Sequence, residues 1–300
     1  MRRTYRLPSS ALGWTFLVAL SLLFALMSYA LFTYALAREV GSDVAAYWGA
    51  AERLRAGEPL YVAGVANASD LYRYAPWFAY AWIPLSYLPR EAVTVAWVGL
   101  MIAAAAVSTL PLVRHGLPGL AAAALFAPIQ LQAAMFGNVQ PLLVLMLMWG
   151  VERRSGPLWI ALGASLKAVP LLLALVYAGR GEWLRAGLAA LLTAVLVAPA
   201  FLFDLSDYPT QAGPGQISLT AISAPLFLAV AILLAGATFI AGRARSRFAW
   251  LVGAGAMMAA LPRVLTYEIG FLLVGFAERR RDPPQIQAVS DASSKPALAR

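Results

Sequence analysis

The chain has 300 residues, 61% of them hydrophobic and 12% charged, with a mean hydropathy of +0.72. Soluble domains carry about 25% charged residues, so the composition excludes an ordinary soluble fold and indicates a polytopic membrane protein. The net charge of +9 lies in short arginine clusters beside apolar runs, which argues against nucleic acid, and a chain with no cysteine and one histidine, His115, makes no disulfide, thiolate or histidine-cluster metal site.

Arg2, Arg3 and Arg6 precede the first apolar segment, 12–36. Its apolar run, from about Ala11 to Ala37, is far longer than the apolar core of a signal peptide, so it reads as a retained span. Arg243, Arg245 and Arg247 follow a late span, and Arg279, Arg280 and Arg281 follow the last. These clusters fit the positive-inside pattern and put both termini in the cytoplasm.

The first external loop, 37–73, contains SDVAAYWGAAERLRAG. Val44, Tyr47, Trp48, Ala51 and Leu54 recur at helical spacing. Ser42 or Asp43 supplies an N-cap, and Gly57 with Pro59 a stop. The pattern predicts a short amphipathic helix over 43–56 lying along the outer interface, with Tyr47 and Trp48 at headgroup depth. Asp43 is either a helix cap or a general base poised where lipid meets water.

Further apolar segments fall at 74–89, 92–113, 118–136, 139–151, 158–178, 184–203, 221–241, 248–261 and 264–277. The expected fold is all-α, a transmembrane bundle of about 8–10 membrane segments forming a single domain over 1–277. Strict alternation would place Arg114 and the ERR of 152–154 outside, against the arginine rule; treating 74–89 and 158–178 as re-entrant removes both conflicts. Broken segments of this kind line protein-buried or watery cavities, and the cavity is expected to open outward. A second external loop spans 204–219, and the tail, 278–300, reads as disordered and cytoplasmic.

Several polar residues interrupt these apolar runs. Lys167, one of two lysines, lies about ten residues from either end of LWIALGASLKAVPLLLALVY, with Pro170 just after it. A charge at that depth costs about 2.5–3.5 kcal/mol on the insertion scale, and a cation in a broken helix suits a bound anion such as a lipid phosphate. In LPRVLTYEIGF, Arg263 and Glu268 either pair with each other or, with Tyr267, serve a ligand. Asn138 and Gln140, in FGNVQP, cap helix ends or orient a sugar. The run LYRYAPWFAYAW packs Arg73, Tyr74 and Trp77 into a belt or a sugar and polyprenyl platform.

Taken together, these stretches resemble glycosyltransferase family 87, the bacterial type-C, polyprenyl-phosphate-mannose-dependent mannosyltransferases. The resemblance rests on D43-x-x-x-Y47 with LRAGEPLY (54–61), on Y74-x-P76 followed by PLSYLP, on GNVQ (137–140) with ERR beyond, on LGASLKAVPLLL (162–173), and more loosely on LPRVLTYE (261–268). It implies a membrane enzyme of the bacterial inner membrane with an outward-facing site. Such an enzyme moves a hexose from a polyprenyl-phosphate donor to a lipid or glycan hydroxyl, with inversion. Asp43 matches the catalytic carboxylate, and Lys167, with Arg73 and Arg263, the donor phosphate-binding positions. Tyr47, Tyr74, Trp77, Asn138, Gln140, Tyr267 and Glu268 are the expected substrate contacts. No cofactor and no metal are expected. The rival readings are a transporter or lipid flippase, which explains the intramembrane lysine, and a structural membrane subunit, which explains only the spans.

Overall fold

The computed structural model of the chain describes residues 11–37, 40–64, 70–208 and 218–277. The arginines of 2–6 and 279–281, most of 209–219 and the tail 278–300 lie outside the described residues. Among the described residues the chain is all-helical, with no strand. Among these residues four helices are long and apolar enough to cross a membrane: 11–34, 90–114, 183–202 and 224–243.

Helix α1, Ala11–Leu36, packs against α5, Leu117–Met135, and is otherwise exposed, as expected of a lipid-facing helix. The amphipathic helix α2 runs Ser42–Ala56. It stops where predicted: Gly57 takes a left-handed conformation and its N–H reaches back to the Arg53 and Leu54 carbonyls. Its start differs from expectation. The cap position is Gly41, no side chain caps the helix, and Asp43 falls inside the first turn. Tyr47 is fully enclosed, because that face of α2 packs onto α3, Pro76–Trp82.

The segment 74–89 does not cross the bundle. It forms α3, with Pro76 in its first turn, and one 3₁₀ turn at Leu85–Tyr87. Helix α4, Arg90–Thr109, then runs away from α2, and α5 returns to it. Helices α6, Gln140–Gly150, and α7, Gly156–Leu166, have 11 residues each, only about 16 Å apiece. Helix α7 ends at Lys167, whose backbone is extended, and a 3₁₀ run, Val169–Leu173, leads into α8, Ala174–Gly179. Pro170 favours the break, since it has no N–H to donate to the Leu166 carbonyl that a continuing α-helix would offer it. The segment 158–178 is therefore a pair of antiparallel halves with Lys167 at the turn.

Helix α9, Trp183–Val197, packs on α7. A short α10, Leu219–Ile222, precedes α11, Ala224–Arg243, which packs on α8 and α12, Ala249–Ala259. A 3₁₀ run, Thr266–Phe276, packs between α5, α6 and α12. The short elements thus form an inner layer, and the four long helices lie outside them. At one end of this bundle Gly41 meets Met135 and Lys167 meets Glu268; at the other Arg180 meets Glu152.

That second end is held by a polar clamp. Arg180 makes a two-pronged ion pair with Glu152, at 2.9 and 3.2 Å, and the Trp250 indole donates to the same carboxylate at 2.5 Å. Burial alone would raise the Glu152 carboxyl, but these bonds and the charge of Arg185 hold it below the usual range.

Candidate active site

Asp43 reaches the site through backbone geometry. Its N–H donates to the Phe136 carbonyl at 2.9 Å, and Gly41 N–H donates to the Met135 carbonyl at 2.8 Å. This seats the start of α2 on the α5–α6 turn. Gly137 in that turn has φ +70°, and a Cβ there would stand 2.6 Å from the Val44 side chain. Only glycine allows this approach without strain.

The turn also aims Asn138. Its Oδ1 accepts the Gln140 N–H at 2.9 Å, which fixes the amide's orientation. Its Nδ2 therefore faces the carboxylate and donates to Asp43 Oδ2 at 2.5 Å. The same Nδ2 lies 3.4 Å from the Tyr267 hydroxyl. Lys167 Nζ stands 5.0 Å from the centre of the Tyr267 ring and 3.3 Å from Glu268 Oε1. The other Glu268 oxygen accepts the Leu265 N–H at 2.9 Å. Asp43, Asn138, Tyr267, Lys167 and Glu268 are thus one connected cluster, drawn from four separate parts of the chain.

Glu268 also has a partner that its local sequence does not suggest, Lys167. Glu268 Oε1 lies 3.3 Å from the lysine Nζ. The side chains of the pair are 13% and 7% exposed, respectively. A lysine has three N–H donors, so this bond leaves donors for a ligand. Arg263 lies within electrostatic reach of Tyr267, as do Asp43, Glu268 and Tyr74.

A wall of aromatic residues backs the cluster. The Tyr47 hydroxyl donates to that of Tyr74 at 3.2 Å, and the Tyr47 ring meets Tyr74, Phe78 and Trp82 at 5.1–5.3 Å between centres. Burial pushes both hydroxyls up, and the Asp43 charge adds to it, so each stays neutral and can donate. The Trp97 indole donates to the Gly137 carbonyl at 2.8 Å. Three tyrosines fix the 71–75 loop: Tyr61 bonds the Tyr74 carbonyl, Tyr72 the Ala75 carbonyl and Tyr208 the Arg73 carbonyl. Arg73 acts electrostatically on Tyr74, which puts it on the same side. Trp77 donates to Ser165 Oγ at 3.0 Å, tying α3 to α7 two residues before Lys167. Gln140 is fully buried, and among the described residues neither its side-chain oxygen nor its nitrogen has a hydrogen-bond partner.

The structure therefore gathers Asp43, Tyr47, Tyr74, Arg73, Trp77, Asn138, Lys167, Arg263, Tyr267 and Glu268 at one end of the bundle. Tyr47 sits behind Tyr74, and Trp77 braces α7. Sequence reasoning missed Gly41, Gly137, Trp97, Ser165 and Tyr208. A glycine immediately before a capping-type residue and another before Asn138 were the available signals for the first two. The tryptophan, serine and second-loop tyrosine carry no local signal, since their partners are remote in sequence. Among the described residues, no group of three or more His, Asp or Glu is arranged to hold a metal.

Comparison with known proteins gives one positive finding. The family model described as Glycosyltransferase family 87 matches residues 72–211. No curated protein and no solved structure matches the chain.

Proposed function

We propose that the chain, which the Glycosyltransferase family 87 model matches over residues 72–211, is a membrane glycosyltransferase that moves a hexose, mannose being the first choice, from a polyprenyl-phosphate donor to a lipid or glycan hydroxyl. The observation that carries this reading is the join between a carboxylate and a cation: Asp43 meets Asn138, Asn138 meets Tyr267, and Lys167 lies over Tyr267. A flippase needs no carboxylate held by an amide beside such a cation. A base for an acceptor hydroxyl and a cation for a leaving phosphate need both in one pocket.

In this mechanism the acceptor oxygen attacks the anomeric carbon as the bond from that carbon to the phosphate oxygen breaks. Asp43 takes the hydroxyl proton, and Asn138 holds its carboxylate in place. The phosphate leaves as polyprenyl phosphate, and Lys167, with Arg73 and Arg263, meets the charge growing on it. Displacement from the opposite face inverts the anomeric centre. Tyr74, Tyr267, Asn138, Gln140 and Glu268 contact the sugar or its surroundings. For Gln140, a buried amide with no protein partner costs about 1–3 kcal/mol, and a water or sugar hydroxyl would relieve it. Both termini are cytoplasmic and the site faces the outer side of a bacterial inner membrane.

The test is incubation of the purified chain with labelled polyprenyl-phosphate-mannose and membrane extract. Release of polyprenyl phosphate with transfer of label to an acceptor supports the reading. Movement of the intact donor across vesicles without bond cleavage favours a flippase and sinks it.

A further inference from the structure

A second site lies at the other end of α6, away from Asp43. There a groove of about 300 Å³ opens between α4, α6 and α7. Its walls are Val107, Leu145, Met146, Trp149 and Trp159, with Arg153 at its rim. Gly150 forms its floor. A Cβ there would stand 2.3 Å from the Trp159 ring, so the indole lies directly on the α6 backbone.

The charge at the rim is uncompensated. Arg153 and Arg154 are exposed, and neither has an ion-pair partner among the described residues. The adjacent carboxylate, Glu152, is turned inward and held by Arg180 and Trp250. The turn itself is pinned, because Arg185 donates to the Val151 and Arg153 carbonyls. The Arg153 guanidinium therefore projects from a fixed backbone and lies 5.9 Å from the centre of the Trp149 ring. Trp149 is 51% exposed. Arg114 is exposed just beyond α4, whose Val107 lines the groove.

We propose that this groove binds an anionic phospholipid from the leaflet facing the Arg153 end of the bundle. One acyl chain lies along Val107, Met146 and Trp159, and the headgroup phosphate sits on Arg153 and Arg154. The fit follows from chemistry. The groove is apolar along its length, it ends in cations with no counter-charge, and an indole marks the boundary between the two. A free phosphate would use only the rim. A zwitterionic lipid brings the same phosphate with a cationic group beside it, which offsets the attraction of the two arginines.

The full chain, purified in detergent, is titrated with brominated phosphatidylglycerol and with brominated phosphatidylcholine, and indole quenching is followed. Trp149→Phe isolates the contribution of that residue among the nine tryptophans. The wild type is expected to bind phosphatidylglycerol more tightly, by about fivefold for each arginine engaged. Arg153→Ala with Arg154→Ala should abolish that preference, weakening phosphatidylglycerol binding far more than phosphatidylcholine binding. Arg153→Lys, which keeps the charge, should retain it and controls for folding. Equal binding of the two lipids by the wild type overturns the proposal. So does an unchanged preference in the double variant, full competition by millimolar inorganic phosphate, or a lipid-free dimer that protects Trp149.

Discussion

Asn138 and Asp43 are 95 positions apart in sequence, and the Asn138 amide donates to the Asp43 carboxylate at 2.5 Å. Because the Gln140 N–H occupies the amide oxygen, the amide cannot turn round without losing a buried bond. Asp43 thus sits beside a fixed donor that favours its charged form. Asn138→Asp would replace this donor with a like charge. The acid limb of the kcat/KM profile should then move to higher pH, since a second negative charge raises the pH at which Asp43 ionises. Asn138→Ala should instead lower turnover at every pH. A pH–rate series on both variants checks this, and superimposable profiles would remove Asn138 from the positioning role.

Asp43→Asn is the direct test of the base. The substitution keeps shape and the backbone bond to Phe136. General-base catalysis is worth about 10²–10⁴-fold, so turnover should fall by that order while thermal stability in detergent changes little. A fully active, folded variant would assign the proton transfer elsewhere.

Lys167 and Glu268 show what was legible and what was not. Each was visible in the sequence as a charge interrupting an apolar run, and the Pro170 break marked Lys167 further. Their pairing was not visible, because the two are 101 positions apart and local periodicity carries no information at that range. Arg263 is the nearer cation to Glu268 in sequence, and nothing local points to the lysine. The same limit explains α2. Its length and stop were legible from spacing and Gly57, but its buried face was set by α3 and by the aromatic wall, which only tertiary packing reveals. The segment 74–89 was apolar enough to suggest a span, yet its prolines break it into two short pieces.

The pair also yields a prediction. Removing one partner of a buried ion pair leaves an uncompensated charge and costs about 3–5 kcal/mol. Lys167→Met and Glu268→Gln should differ, because glutamine is neutral and can still accept the Leu265 N–H. Lys167→Met should lower the melting temperature and raise the donor KM. Lys167→Met with Glu268→Gln should recover much of the melting temperature but not the KM. Recovery of both would mean that the lysine serves only to neutralise the glutamate.

Gly137 controls how closely α2 approaches the α5–α6 turn. Alanine there meets two obstacles, a left-handed φ of +70° and the Val44 side chain at 2.6 Å. The backbone penalty alone is about 1–2 kcal/mol. Gly137→Ala should destabilise the fold and reduce turnover more than it changes donor KM, since it moves Asp43 away from Asn138. Adding Val44→Ala removes the clash but not the backbone strain, so it should restore part of the stability. Thermal melts and donor titrations on the single and double variants check this; no effect from Gly137→Ala would mean that the approach is not constrained.

The clamp at the other end predicts an acid response. Glu152 is held below its ordinary carboxyl range of about 4.5 by Arg180 and Trp250, after burial has been overcome. A depressed carboxyl contributes stability that is fully present above its unfolded pKa and is lost as pH falls through the folded one. The wild type should therefore keep its melting temperature down to about that ordinary value and lose it below, as the proton taken up on unfolding breaks the clamp. Glu152→Gln should melt lower at neutral pH, because Arg180 is left without its anion, and should show a shallower decline on acidification. Melts from pH 7 to pH 3 on both proteins check the sign; a decline equally steep in Glu152→Gln would assign the acid response to another carboxylate.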